Sequence, residues 1–210
     1  MFPYAREREE VASFMCRLYD RFLTTASGGN ISLKAPDGNV LITASGRDKA
    51  ELTREDVGIV TPQGENLTKE LKLSIETSLH LAVYAARKDV RAIVHAHPAA
   101  ATFFSASEER LDTTLTAEAY AVAGKVVKIP YAIMGSPELA EIVAEKMRSF
   151  DCGLMENHGV ITLGKDLLSA FDRMELLEIA AKQTLMGRLI PCRPLSQERL
   201  EELDRFVGRG

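Results

Sequence analysis

The stretch Ala92-Ile93-Val94-His95-Ala96-His97-Pro98 decides how the rest of the chain is read. Its apolar run predicts a strand over residues 91–97, and alternate residues of a strand point to the same face. His95 and His97 can therefore converge on one cation at a strand end, where a site is both rigid and reachable. Taken alone, a pair of histidines two apart is equally compatible with a coincidental or stacked surface pair. A third histidine, His158, lies in Asn157-His158-Gly159, a turn between apolar runs over 153–156 and 160–163 that read as paired strands. A tight turn there aims the imidazole into a cleft. Three imidazoles suit Zn²⁺ with a fourth position open, the arrangement of a catalytic rather than a closed structural site. The same ligand type accepts Co²⁺, Mn²⁺ or Fe²⁺.

The fourth histidine, His80, follows Glu76 by four residues, so on helical spacing the two share a face and can also supply ligands. For His80 the plainer reading is preferred: a partly buried side chain hydrogen-bonded in support of its helix. Glu76 stands in what reads as the first turn of that helix. There an acid simply complements the macrodipole, and spacing leaves its capping and catalytic readings level.

Further out, residues 4–23 carry Val11, Phe14, Met15, Leu18 and Phe22 at intervals of three to four, which predicts an amphipathic helix. Short β-type runs follow at 30–34, 40–43 and 58–61. The first two are separated by Pro36-Asp37-Gly38-Asn39, and Pro62-Gln63-Gly64-Glu65-Asn66 follows the third; both are turn chemistry, so an antiparallel meander is expected. Ile75, Leu79, Ala82, Val83 and Ala86 then fall on one helical face, with Ser74 expected as the N-cap. Ser136-Pro137-Glu138 opens another helix, with a cap, a proline at the first position and an early acid. A long helix is expected over 167–189 and a short terminal one over 195–206. Hairpin-like strands with separate helices, lacking regular strand–helix alternation, predict an α/β chain with a mainly antiparallel sheet flanked by helices.

With 210 residues, 46% of them hydrophobic and 27% charged, and no repeat or Pro/Gly/Ser-rich linker, a single domain over 1–210 is expected. A formal charge of −4 with no basic run argues against nucleic acid or an anionic membrane as partner. Cys16, Cys152 and Cys192 are far apart and lack CxxC spacing, so neither a disulfide framework nor a zinc finger is suggested and a reducing compartment, the cytoplasm, is expected. The first ten residues, charged from Arg6 onward, do not read as a secretory signal. No 18-residue apolar run suggests a membrane helix.

Two small-residue segments precede the histidines. Ser27-Gly28-Gly29-Asn30 leads into one strand and Thr43-Ala44-Ser45-Gly46 follows another. Hydroxyls and free amides of this kind can form an anion-binding nest, although each segment by itself reads more simply as a turn. Neither is a Walker A loop or a dinucleotide fingerprint.

In their order (two small-residue loops, Ser-x-Glu, HxH, then NHG) these motifs resemble the class II aldolase/epimerase, or aldolase II/adducin head, family, and most of all its L-fuculose-1-phosphate aldolases. The likeness runs from about residue 11 to residue 189. It implies a three-layer α/β/α sandwich and a homotetramer with the active site near a subunit interface. It further implies that His95, His97 and His158 hold zinc and that Glu76 is the catalytic acid/base. Ser27, Gly29, Asn30, Ser45, Gly46 and Ser74 would hold the phosphate of a small phosphorylated sugar.

The implied reaction is cleavage of a ketose 1-phosphate to dihydroxyacetone phosphate and an aldehyde through a metal-stabilised enediolate, with Glu76 tuned towards neutrality. Ile75 stands where fuculose-phosphate aldolases carry a second serine. The stretch from Leu115 to Tyr120 stands where they carry a tyrosine that assists from the neighbouring subunit, leaving Glu118 or Tyr120 as substitutes. Family alternatives are a pentulose-phosphate 4-epimerase, which has Asp in place of Glu76, a methylthioribulose-1-phosphate dehydratase, and a non-catalytic adducin-like module, which lacks the ligand set.

Overall fold

The computed structural model describes residues 3–209; Met1, Phe2 and Gly210, which the expected domain includes, lie outside the described residues. The expected meander is present. Strands β1 (Asn30–Lys34), β2 (Val40–Thr43) and β3 (Val57–Val60) pair antiparallel in succession. Strand β4 (Ala92–Ala96) joins the free side of β1, and β7 (Gly159–Gly164) joins β4. β6 (Cys152–Met155) and β5 (Val126–Ile129) complete a seven-stranded sheet in the order β3-β2-β1-β4-β7-β6-β5. Among the described residues only the β5–β6 pair is parallel, so the sheet is mainly antiparallel as expected.

Every residue of β4 is buried, because helices cover both faces of the sheet. On one face lie α1 (Ala5–Asp20), α3 (Ala99–Ala106) and α6 (Leu167–Met186), packed on Ile31, Leu33, Val94 and Ala96. Phe14 of α1 and Phe171 of α6 meet edge to face with centroids 5.4 Å apart, a pair contributing roughly 0.5–1.5 kcal/mol beyond area burial. On the other face α2 (Thr77–Ala86) and α5 (Pro137–Lys146) bury Leu79, Val83, Leu139 and Val143 against Ile42, Ile93 and Ile161. The result is the three-layer α/β/α arrangement.

The two-residue period of the strands positions the site. Ile31 and Leu33 face the α1/α6 layer, so Asn30 and Ser32 face α2. Val94 and Ala96 likewise face α6, so Ile93 and His95 face α2. Asn30 and His95 are register partners on adjacent strands.

Some boundaries differ from expectation. Helix α2 starts at Thr77 with Glu76 in the capping position, so Ser74 is not its N-cap and Ile75 lies before it, 53% exposed. Ser74 instead ties the entry turn: its hydroxyl accepts from the Glu76 N–H at 3.3 Å, and its carbonyl accepts from the Thr77 N–H and hydroxyl at 3.1 and 2.6 Å. Ser136 does cap α5, accepting from the Leu139 N–H. Helix α6 ends at Met186, three residues early, with Gly187 as its C-cap.

Periodicity assigns nothing between His97 and Ser136, where the structure has α3, α4 (Ala117–Ala123) and β5. These are short, and α3 is alanine-rich and apolar nearly all round, so neither period has length to register. The terminal helix α7 (Gln197–Val207) packs on α4 with no buried residue of its own. Among the described residues no helix is long and apolar enough to cross a membrane.

Candidate metal centre and active site

His95 is the penultimate residue of β4, and His97 follows just beyond the strand end, with its N–H donating to the Leu23 carbonyl at 3.1 Å. His158 is delivered by the β6–β7 turn. Asn157 adopts a left-handed conformation there (φ 52°), which asparagine tolerates better than most residues, and the His158 N–H donates to the Met155 carbonyl at 3.0 Å. A Cβ on Gly159 would lie 2.6 Å from His97 Cδ2 and 2.8 Å from the Ala96 carbonyl oxygen, so only glycine lets this turn close on the β4 end. Gly29 (φ 68°) has the same function on the other side, because a Cβ there would lie 2.7 Å from the His95 carbonyl oxygen. The three imidazoles converge, with a ligand nitrogen from each within 4.8 Å of the others.

Glu76, only 3% exposed, completes the group: Oε2 lies 3.2 Å from His95 Nε2 and Oε1 lies 3.4 Å from His158 Nε2. The tautomer of His95 follows from its other nitrogen. Nδ1 is 3.0 Å from the Val160 carbonyl, which can only accept, so Nδ1 carries the proton and Nε2 presents a bare lone pair. That lone pair faces a carboxylate oxygen, acceptor against acceptor. Both His95 Nε2 and Glu76 Oε1 are buried without a hydrogen-bond partner among the described residues. A divalent cation, or a proton, is what such a pair of buried acceptors requires, and the donor set fits a metal.

Burial pushes the His97 pKa down to about 4, helped by the neighbouring His95 and His158. Burial likewise lowers His158, again with His95. Both imidazoles are thus neutral near pH 7, the form that ligates. For Glu76, burial acts to raise the pKa, whereas a proton on His95, the Asn30 hydrogen bond and a proton on His158 or His80 act to lower it, and the balance is downward. Its carboxyl therefore sits below the usual glutamate range rather than tuned towards neutrality as expected. It is ionised near pH 7, the state that accepts a proton.

Behind Glu76 runs a buried hydrogen-bonded chain. Asn30 Nδ2 donates to Glu76 Oε2 at 2.9 Å, leaving Asn30 Oδ1 to accept from His80 Nε2 at 2.6 Å. His80 Nδ1 is then an acceptor for the Ser32 hydroxyl at 2.6 Å, and Ser32 Oγ accepts from the Tyr84 hydroxyl at 2.8 Å. His80 is fully buried, and burial pushes its pKa down to about 3 against the favourable field of Glu76, in keeping with a neutral ring. The supporting reading of His80 holds, and His80 is not part of the converging ligand group.

A cavity of about 360 Å³ opens over these residues. Its wall includes His95, His97, His158 and Glu76, together with Ser27, Gly29, Asn30, Ser45 and Ser74 from the small-residue segments. Gly46 (φ 69°) is not in the wall. The Ser45 N–H is committed to the Lys72 carbonyl at 2.8 Å, so its hydroxyl is the group left for a ligand. Ile75 and Met134 add an apolar part to the rim.

Sequence reasoning missed Lys49, which lines the same cavity but reads in Arg47-Asp48-Lys49 as part of a solvated charged turn. Neither Glu118 nor Tyr120 is in the wall, and the Tyr120 hydroxyl donates to Asp204 at 2.9 Å. Larger clefts of about 850 and 840 Å³ lie beside α4 and α7 and beside the end of α6; the first is lined by Tyr120, and neither holds any of the expected metal, acid/base or phosphate residues. The smaller cavity is preferred because, among the described residues, it alone joins buried unpaired acceptors to a converging ligand set.

The likenesses of the chain agree with this geometry. It is 39% identical over 170 residues to L-fuculose phosphate aldolase of Methanococcus maripaludis, covering 80% of this chain and 91% of that one. It is 36% identical to 5-deoxy-D-ribulose 1-phosphate aldolase of Bacillus thuringiensis, covering 98% and 97%. It is 34% identical to 3-oxo-tetronate 4-phosphate decarboxylase of Haemophilus influenzae, covering 89% and 90%. A solved L-fuculose 1-phosphate aldolase superposes with a TM-score of 0.86 at 30% identity, covering 96% of this chain and 95% of that one. The model of the Class II Aldolase and Adducin N-terminal domain matches residues 9–185, and the chain belongs to that family.

Proposed function

We propose that the protein is a zinc-dependent class II aldolase that cleaves a ketose 1-phosphate to dihydroxyacetone phosphate and an aldehyde. The observation that carries the reading is the buried contact of Glu76 with His95 and His158, two unpaired acceptors beside three converging imidazoles at a cavity lined by hydroxyls. His95, His97 and His158 would hold the cation, which when bound supplies Lewis-acid stabilisation of negative charge on the substrate's carbonyl and hydroxyl oxygens.

Glu76 is the group that moves a proton at the carbon that is cleaved or joined, a role contributing typically 10²–10⁴-fold. Asn30 holds that carboxylate in place through its side-chain N–H. Ser27, Gly29, Ser45, Gly46, Ser74 and the main chain at Asn30 receive the phosphate, so that the reacting carbon is oriented over Glu76. The chain works as a single domain in a cytoplasmic homotetramer, with no nucleic acid or membrane as partner.

The test is a screen of ketose 1-phosphates for dihydroxyacetone phosphate release, with and without a chelator. Chelator-insensitive release, or a purified protein that binds no divalent metal, sinks the reading. A second reading is favoured by the likeness to the Haemophilus decarboxylase and by Ile75 at the cavity rim: loss of carbon dioxide from a phosphorylated 3-oxo acid. Carbon dioxide release without aldehyde selects it. Epimerisation or dehydration without cleavage selects the 4-epimerase or dehydratase instead.

A further inference from the structure

Lys49 is among the largest fully buried side chains, with 2% of its surface exposed, yet it belongs to the cavity wall. Its ammonium donates to the Ala44 carbonyl at 3.1 Å and makes no salt bridge with a carboxylate among the described residues. Asp56, whose field favours the charged form, is itself paired with Arg47 at 3.2 Å and accepts from Thr53. Burial lowers the Lys49 pKa, and Asp56 offsets only part of this.

A buried ammonium with no anionic partner is costly, and such charges persist where an anion arrives to pair with them. The backbone places this charge between the two small-residue segments. The Lys49 N–H donates to the Ala26 carbonyl at 2.9 Å, clipping the turn after β2 to the turn before β1, and Ala44 stands next to Ser45.

We infer that Lys49 is the fixed positive charge of the phosphate subsite, held by the Ala44 carbonyl behind the Ser27 and Ser45 hydroxyls and pairing electrostatically with the phosphate of the substrate. The inference rests on the reading of these loops as a phosphate site. It replaces an uncharged nest by one with a built-in cation.

The test is calorimetric titration of the full chain with inorganic phosphate, against chloride at matched ionic strength, in the wild type, Lys49→Arg and Lys49→Met. The wild type and Lys49→Arg should bind phosphate. Lys49→Met should lose about tenfold to a hundredfold in affinity, the scale of a charge-assisted hydrogen bond. Without phosphate, Lys49→Met should melt no lower than the wild type, since an unpaired buried charge has been removed. A purely structural lysine would instead lower the melting temperature and leave phosphate affinity unchanged.

Equal phosphate binding by Lys49→Met overturns the inference; should that variant fail to fold, Lys49→Gln answers the same question. A wild type that binds no phosphate yet releases dihydroxyacetone phosphate in a chelator-sensitive way overturns the role of Lys49 and leaves the aldolase reading standing. Phosphate binding lost in Lys49→Met, in a protein that cleaves no ketose phosphate, supports Lys49 and removes the aldolase reading.

Discussion

His80 Nε2 lies 2.6 Å from Asn30 Oδ1, so the Asn30 amide can present only its NH₂ group to Glu76. The orientation of the carboxylate is thus set from beneath by Tyr84, Ser32, His80 and Asn30 in series. Asn30→Ala removes the donor to Glu76 and strands the His80 N–H, at a cost of about 1–3 kcal/mol. In melting temperature this is a fall of roughly 2–4 °C per kcal/mol for a chain of this size. Turnover should fall more than KM changes. An Asn30→Ala enzyme with wild-type turnover would show that the chain behind Glu76 is structural only.

Glu76→Gln keeps the shape of the side chain and removes its negative charge. Metal content by elemental analysis should be retained, since three imidazoles remain, while turnover drops roughly 10²–10⁴-fold. Unchanged turnover would take Glu76 out of the acid/base role.

Gly159→Ala introduces a methyl 2.6 Å from His97 Cδ2 and 2.8 Å from the Ala96 carbonyl oxygen. The backbone oxygen cannot yield cheaply, so the β6–β7 turn must shift and carry His158 with it. Affinity for zinc should weaken roughly 10–100-fold, the scale seen when support for a metal-binding histidine is lost. Competition with a coloured chelator measures this, and wild-type affinity would contradict the steric argument.

Acid should destabilise the protein in a defined direction. His80 titrates near 3 when folded against an ordinary value of 6.5, so between those limits the unfolded chain binds the extra proton. Stability is therefore full above 6.5 and falls as pH drops through that window, by up to about 1.4 kcal/mol per pH unit for one such group. His97, lowered to about 4, acts in the same sense. Urea unfolding midpoints of chelated protein should hold from about pH 7.5 to the ordinary histidine value of 6.5 and decline from there towards about pH 5. A flat profile would mean these imidazoles are not buried in their neutral form.

The central parts of the sheet were legible because their signals are local. β1 and β2 have the expected boundaries, and β3, β4, β6 and β7 follow from apolar runs bounded by turn residues. The segment from α3 to β5 was not legible, because it takes its form from what it packs against. The start of α2 was misplaced by the Ser74 signal. A serine two residues before the capping position makes similar local hydrogen bonds, and only the path of the chain into the cavity distinguishes the two.

The sequence by itself determined which residues stand together on one strand face and which turn carries the third imidazole, since a two-residue period and a left-handed Asn-His-Gly turn are properties of the local backbone. It also determined the order of motifs by which the family is recognised. Tertiary structure alone decided the rest: that the His95 lone pair faces Glu76, that Asn30 is held between His80 and Glu76, and that Lys49 is buried at the cavity rather than solvated. Protonation state, burial and charge pairing depend on groups far apart in the chain, as Val160 is 65 residues from His95 and His158 is farther still from Glu76, and such distances leave no periodic trace in sequence.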